Sequence, residues 1–343
     1  MNIMHFEKKK FVDNNIKSIL KKDSSNKNTL INQSSYIILF LIVLSIIFGI
    51  INPRFFTPKN FGFILKQSSV LLIVSLAETF VILTGSIDLS LQGIVVLSCV
   101  VTAKMLDIFN FSSPLVVIFI ILISVGIGSI CGLLNGLILT KGKIPSFLIT
   151  LGTGTMFQGF CLLITGGYTI PITNSYYKWL GSGDILKIPT IAIIALIVYI
   201  YAVFLNNYTP FGRYVFAVGG GELTARYSGI SVDKIKLIVF VFAGMLAGLG
   251  GALTSARLGA GTSTAGGSIE LDVIAATVMS GTSLSGGVGN VSKTILGVCA
   301  ITLLSNGLNI IGVSPHIQIV LKGFIVILVV FSSTDRSKIL IAK

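Results

Sequence analysis

Residues 114–139 read PLVVIFIILISVGIGSICGLLNGLIL, twenty-six consecutive positions without one Asp, Glu, Lys or Arg. Roughly 20 apolar residues are enough for a helix to cross the hydrocarbon core of a bilayer. A run of this length and purity therefore reads as a membrane span. Nine further apolar runs flank it, at about 36–52, 63–84, 87–106, 146–167, 189–205, 236–257, 270–283, 291–311 and 316–333. Together they predict an all-α, polytopic transmembrane helical bundle of about ten spans. The eighth run is short and flanked by glycine.

Composition agrees. Of 343 residues, 53% are hydrophobic and 11% are charged, against about 25% charged in a soluble domain. Such a chain cannot cover a water-facing surface. The 37 glycines suit helices that approach closely in lipid. The net charge of +13 would point to nucleic acid in a soluble protein. Here the basic residues cluster at segment ends, so the positive-inside rule accounts for them.

That rule also sets an orientation. Segments placed inside hold Lys8, Lys9, Lys10, Lys17, Lys21, Lys22, Lys27, Lys141, Lys143, Arg213, Arg226, Lys234, Lys236, Lys293, Arg336, Lys338 and Lys343. Segments placed outside hold Arg54, Lys59, Lys66, Lys104, Lys178, Lys187 and Arg257. Seventeen against seven predicts both termini on the cytoplasmic side of the cell membrane. The cluster Arg54, Lys59 and Lys66 runs against this count, and Lys322, inside the last run, is expected to snorkel or to pack against the bundle. The expected organisation is a basic cytoplasmic arm (1–35), a membrane domain (36–333) and a cytoplasmic tail (334–343). The arm lacks the short apolar core of a cleavable signal peptide.

Two connections are long: 168–188 outside and about 206–235 inside, the latter with a short helix predicted from Glu222 to Ser228. Two segments, TGSIDLSLQG (84–93) and SGTSLSGGVGN (280–290), are polar and glycine-rich between apolar runs. Each reads as a helix break inside the membrane or a tight turn at its inner edge. One internal echo stands out: Asn135-Gly136-Leu137 with Pro145 and Gly152 returns as Asn306-Gly307-Leu308 with Pro315 and Gly323. The half-chain offset covers five spans, which would make an inverted 5+5 repeat of the kind transporters use.

Charge in hydrocarbon costs at least a few kcal/mol, so intramembrane ionisable residues are functional candidates. Glu78 reads as a residue lining or gating a solute path, or as the partner of a neighbour in its helix. Asp88 reads as path lining or as a helix N-cap. Glu270 and Asp272 suit the N-terminus of the eighth helix. The amides Gln92, Asn135, Gln158, Asn306, Asn309 and Gln318 offer hydrogen bonds either to solute hydroxyls or between helices. Phe80, Phe147, Phe157 and Phe160 read as packing or as stacking platforms for a sugar face. From these sets the path candidates are Glu78, Asp88, Gln92, Asn135, Asn306 and Asn309.

Cys99, Cys131, Cys161 and Cys299 lie in apolar stretches without CxxC spacing and read as core residues. No phosphate loop, HExxH metal motif or GxSxG elbow occurs. The expectation is a non-catalytic chain without metal.

Four segments taken together resemble one family: TFVILTGSIDLSLQGIVVLS (79–98), GLLNGLILTKGKIPSFLITLGT (132–153), TPFGRYVFAVGGGELTARYSGI (209–230) and ARLGAGTSTAGGSIELDVIAATVMSGTSLSGGVGN (256–290). They are similar to the inner-membrane permeases of ribose-, xylose- and galactose-type ABC importers, a family that also includes autoinducer and nucleoside permeases. The resemblance runs from about 36 to 333. It implies a permease that dimerises with a copy or paralogue, docks a cytoplasmic ATPase that hydrolyses the ATP, and receives solute from an extracytoplasmic binding protein. No cofactor bound by this chain and no nucleic acid is implied; membrane lipid is the remaining partner. It also implies an ATPase-coupling loop carrying Gly219, Gly220, Glu222, Arg226, Ser228 and Gly229. The family usually reads TGGIDLS followed by VGS. This chain has Ser86 in that motif and then Leu91-Gln92-Gly93, so the solute class stays open between a small pentose or hexose and a nucleoside or autoinducer. A proton-coupled secondary transporter using Glu78 or Asp88 is the other class that the residues allow.

Overall fold

The computed structural model describes residues 35–109, 113–267 and 269–333. Residues 1–34 of the basic arm and the tail 334–343 lie outside the described residues. The helices are α1 (Ser35–Ile51), α2 (Pro58–Leu83), α3 (Leu91–Ile108), α4 (Pro114–Gly142), α5 (Ser146–Thr165), α6 (Ser175–Ser182) and α7 (Thr190–Tyr208). They continue as α8 (Pro210–Gly220), α9 (Glu222–Tyr227), α10 (Val232–Leu258), α11 (Ile269–Met279), α12 (Thr294–Ile310) and α13 (Pro315–Ser333). Each apolar run of the sequence holds one of them. Six of these helices, α2, α3, α4, α5, α7 and α10, are long and apolar enough to cross a membrane, as is Val291–Ile310, which contains α12. The apolar stretches Ser35–Ile51 and Pro315–Leu328 are shorter. The 11-residue α11 rises only about 16 Å, half of a hydrocarbon core.

Local signals set the helix ends. Thr57 accepts a hydrogen bond from the Asn60 amide ahead of Pro58, and Ser113 does the same for Leu115 ahead of Pro114. Proline at the first helical position needs no N–H partner. Because α2 starts at Pro58, Lys59 and Lys66 belong to a helix and not to a loop. Lys66 donates to the Ser182 carbonyl and lies 3.9 Å from the Asp184 carboxylate, so its charge anchors the 175–189 connection.

That contact identifies one end of the bundle, where α2 begins. Here α6 packs on the C-terminal turn of α10, with Gly181 against Ala256, and two-residue ladders join Ile170–Pro171 to Ala260–Gly261 and Asp184–Ile185 to Ile188–Pro189. At the opposite end, the last turn of α2 meets the α8–α9 connection, where Gly219 abuts the Leu83 carbonyl. Helices α2 and α10 therefore run in opposite directions. Each is a long, largely buried helix that ends in a positive-φ glycine (Gly85 at 75°, Gly259 at 66°). Each is followed by a non-helical stretch and a helix that starts part-way down the bundle, α3 and α11. This antiparallel correspondence is what an inverted repeat requires.

The tightest seam joins α4 to α10. Gly128, Gly132 and Gly136 on α4 recur every four residues and face Gly244, Gly248 and Phe240 on α10. A Cβ on Gly128 would run into the Gly244 carbonyl oxygen, and one on Gly244 would run into that of Gly128. Ser124 Oγ adds a 2.9 Å hydrogen bond to the Gly248 carbonyl. Without water to drive apolar helices together, such close backbone contact is a main source of association in lipid. Gly244→Leu is expected to remove most of the monodisperse protein from detergent-solubilised membranes, because backbone, not a movable side chain, occupies the space. Gly126→Ala, with nothing within 4 Å of the added methyl, is expected to keep the wild-type elution profile and melting temperature.

Candidate functional site

Residues 84–90 leave the helix yet stay inside the bundle. Non-helical backbone at membrane depth is tolerated only where protein satisfies its polar groups. Here four consecutive N–H groups find side chains. Ile87 N–H donates to Ser146 Oγ (3.0 Å), Asp88 N–H to Glu78 Oε1 (3.3 Å), Leu89 N–H to Thr150 Oγ1 (3.0 Å) and Ser90 N–H to Asp88 Oδ1 (2.9 Å). Ser90 Oγ donates to Asp88 Oδ1 and accepts from Asn135 Nδ2 at 2.7 Å. The break at 84–93 is therefore held by α2, α4 and α5, and its Gly85–Ile87 side opens on the surface that carries Glu222 and Arg226.

Three path candidates meet at this segment, and Glu78 Oε2, Asp88 Oδ2 and Asn135 Oδ1 stay buried without a partner among the described residues. Glu78, Asp88 and Asn135 are at most 2% exposed and act on the broken segment and its neighbours. Asp88 works as a local turn former two residues before Ser90, which is itself the N-cap of α3. Gln92 donates to the Gly267 carbonyl at 2.8 Å, joining the first broken segment to the stretch before α11. Asn306 forms a reciprocal amide pair with Asn60 (2.9 and 3.0 Å), an interhelical link between α12 and α2. Asn309 accepts from Gln318 Nε2 at 2.8 Å. Phe80 packs with Phe211 and Phe242, ring centroids 5.8 and 5.3 Å away. Phe157 is buried, whereas Phe147, Gln158 and Phe160 face outward.

Lys322 neither snorkels nor stays alone. Its Nζ lies 2.7 Å from Asp272 Oδ2, with both side chains under 15% exposed. The pair faces a cavity of about 380 Å³ between α2, α10, α11 and α13, which Gln67, Arg257 and Gln318 also line. None of the six path candidates lines this cavity. Gln67 and Arg257 carried no signal at the sequence level, because each sits near a predicted span end where polar residues are ordinary.

The second functional region is the end where α2 finishes. Three backbone turns meet there: Gly85, Gly219–Gly220 and Gly286–Gly287. Gly287 N–H donates to the Leu83 carbonyl at 3.0 Å, and a Cβ on Gly219 would strike both groups. Immediately beyond lies α9, one residue shorter than the predicted Glu222–Ser228 helix, with Ser228 as its C-cap. Its two charges are tied back to α10. Glu222 pairs with Lys236, and Arg226 Nη2 lies 2.6 Å from Asp233 Oδ1; the hydrogen bond to Asp233 raises the Arg226 pKa above its usual value. Gly229, at φ 82°, reverses the chain into α10. What α9 presents outward is Leu223 (71% exposed) and Tyr227 (90% exposed), four residues apart and so on one helix face. The sequence reading named the charges and missed these two.

Among the described residues, no cluster of three or more His, Cys, Asp or Glu side chains forms, and the four cysteines are unpaired. A membrane bundle with two broken segments, a part-open cavity carrying polar side chains and a short outlying helix is built like a transport protein. The chain belongs to the family described as branched-chain amino acid transport system / permease component, whose model matches residues 60–330. It is 41% identical over 300 residues to the ribose import permease protein of Bacillus subtilis (strain 168), covering 87% of this chain and 91% of that one. Identity to the Escherichia coli (strain K12) ribose import permease protein is 36%, covering 86% and 92%. For the galactose/methyl galactoside import permease protein of Haemophilus influenzae it is 35%, covering 91% and 96%. No solved structure matches. The resemblance read from the four sequence segments is thereby established at family level.

The role of Glu78 is open to test. Glu78→Gln keeps an acceptor for the Asp88 N–H and is expected to retain most of the thermal stability. Glu78→Leu leaves that donor buried and unmade, which costs about 1–3 kcal/mol. Melting of the purified variants in detergent checks the difference.

Proposed function

We propose that this chain is the membrane-spanning, non-catalytic permease subunit of an ATP-driven importer for a small sugar of the ribose or hexose type. The observation that carries the proposal is its identity of 35–41% to ribose and galactose import permease proteins over nearly their full lengths. The partners in this reading are a cytoplasmic ABC ATPase that hydrolyses ATP, an extracytoplasmic binding protein that delivers solute, and a second permease copy or paralogue. The charge count supports an orientation in the cell membrane with the α8–α9 end, and both termini, in the cytoplasm.

The geometry supplies a route for coupling. A force on α9 passes through the two ion pairs to α10, and through Gly219–Gly220 to the ends of α2 and of the 283–287 turn. The contacts of Gly219 and Gly220 with Leu83 and Gly287 are backbone to backbone, so along that branch no side-chain rotation can absorb the movement. The ATPase in this reading grips Leu223 and Tyr227 in an apolar groove, while Glu222 and Arg226 hold α9 at its angle.

Replacing Leu223 and Tyr227 together by Glu is expected to abolish co-purification of the co-expressed ATPase while membrane levels stay at wild type. Retained ATPase binding in that variant would overturn the docking assignment. Uptake is expected to cease on ATP depletion and to survive dissipation of the proton gradient; the opposite pattern would favour a proton-coupled transporter.

A further inference from the structure

The cavity lined by Gln67, Arg257, Asp272, Gln318 and Lys322 has no role in the proposal so far. It measures about 380 Å³, within the range of small-molecule sites. It reaches from the end of α10, where Arg257 sits in the last turn, to Gln67, nine residues into α2, and Lys322, seven residues into α13. At 1.5 Å per residue, that is a depth of about 10–13 Å. Its walls come from α2 in the first half of the chain and α10, α11 and α13 in the second, the junction at which repeat-built transporters bind solute.

One buried acceptor in this cavity, Asp272 Oδ1, lacks a partner. Gln67, half-buried, and Arg257, exposed at the rim, form no hydrogen bond or ion pair among the described residues. Asp272 gives one oxygen to Lys322, while its Oδ1 is buried without a donor. Gln318 is different: its amide nitrogen is already committed to Asn309 and to the Val313 carbonyl, which holds it as wall. The cavity therefore offers donors from Arg257 and Gln67 and a lone buried acceptor at Asp272. A phosphate or carboxylate could accept from the first two but would meet the Asp272 oxygen with a lone pair. A hydroxyl donates and accepts at once, so adjacent hydroxyls on one molecule complement the full set. Val70 and Ile269 on the same walls suit the C–H face of a sugar ring.

We propose that this cavity is a solute site on the translocation path, taking a neutral polyhydroxylated molecule with vicinal hydroxyls through Arg257, Gln67 and Asp272. The Lys322–Asp272 pair positions the acceptor oxygen. The proposal rests on the sugar-import reading above and adds the residues at which the solute pauses within the membrane.

The test uses cells carrying the complete importer, with radiolabelled D-ribose, D-galactose and D-allose as probes. For whichever probe the wild type accumulates, Gln67→Leu and Asp272→Asn are each expected to lower the maximal uptake rate about tenfold, the effect of one lost hydrogen bond. Membrane level and ATPase co-purification should not change. In the otherwise wild-type complex, Thr264→Cys at the cavity wall should react with a membrane-impermeant maleimide, and saturating probe should slow the reaction. Wild-type uptake rates in both wall variants, or labelling indifferent to the probe, would overturn the site and leave the importer reading standing. A wild type that accumulates none of the three sugars would overturn both. Should Arg257→Gln lose bound phospholipid while uptake stays normal, Arg257 serves a lipid headgroup and the site is wrong.

Discussion

A peptide segment that leaves the helix inside a packed bundle must find a partner for each N–H it buries, and residues 84–90 impose that demand on the helices around them. Glu78 on α2 and Ser146 with Thr150 on α5 accept these N–H groups, and Asn135 on α4 donates to the Ser90 hydroxyl. These helices can reach the segment only if they are close together. The glycines of α4 bring it against α10, and Gly154 of α5 lies against the backbone of Ser90. Backbone satisfaction and glycine packing are thus one constraint. Relaxing either would leave polar groups stranded at a cost of several kcal/mol each.

Much of this architecture was legible in the sequence because it follows from one-dimensional properties. Apolar run length located the helices, with most ends within a few residues and the start of α2 at Pro58 five residues before the run at 63. The polar, glycine-rich interruption at 84–93 was visible as a break, as was the weaker one at 280–290. The half-chain echo is compatible with the opposed directions of α2 and α10, which stand at corresponding places in the two halves. The breaks also show where such reading stops. The sequence shows that Glu78 is a carboxylate in an apolar run. It does not show that a segment ten residues later folds back to donate to it.

The site was less legible for the same reason. A buried polar residue looks functional in one dimension whether its partner is solute or protein. Glu78, Asp88, Asn135 and Asn306 each have a protein partner, which only the fold brings near. Gln67 and Arg257 look ordinary in one dimension and are the groups left without one. For α9 the inversion is similar: charges drew attention to Glu222 and Arg226, yet α10 supplies their counter-charges. The exposed pair Leu223 and Tyr227 emerges only when one face of the helix is seen to be covered.

The division between spent and unspent polar groups also bears on how the molecule could move. The glycine turns at 85, 219–220 and 286–287 form a backbone junction, so displacement of α9 must shift the ends of α2 and of the α11–α12 turn together. Helix α2 carries Gln67 on one wall of the cavity, and α11 carries Asp272 on another. The α2 wall is a rigid extension of the junction, Gln67 about 24 Å along α2 from Leu83 by helix rise, whereas α11 joins it through the non-helical residues 280–285. A rigid helix transmits an end displacement over that distance, so in the proposed reading a shift of α9 is felt at Gln67. A solute held there would feel any change at the far end, which is the coupling an importer of this design needs between its partner and its cargo.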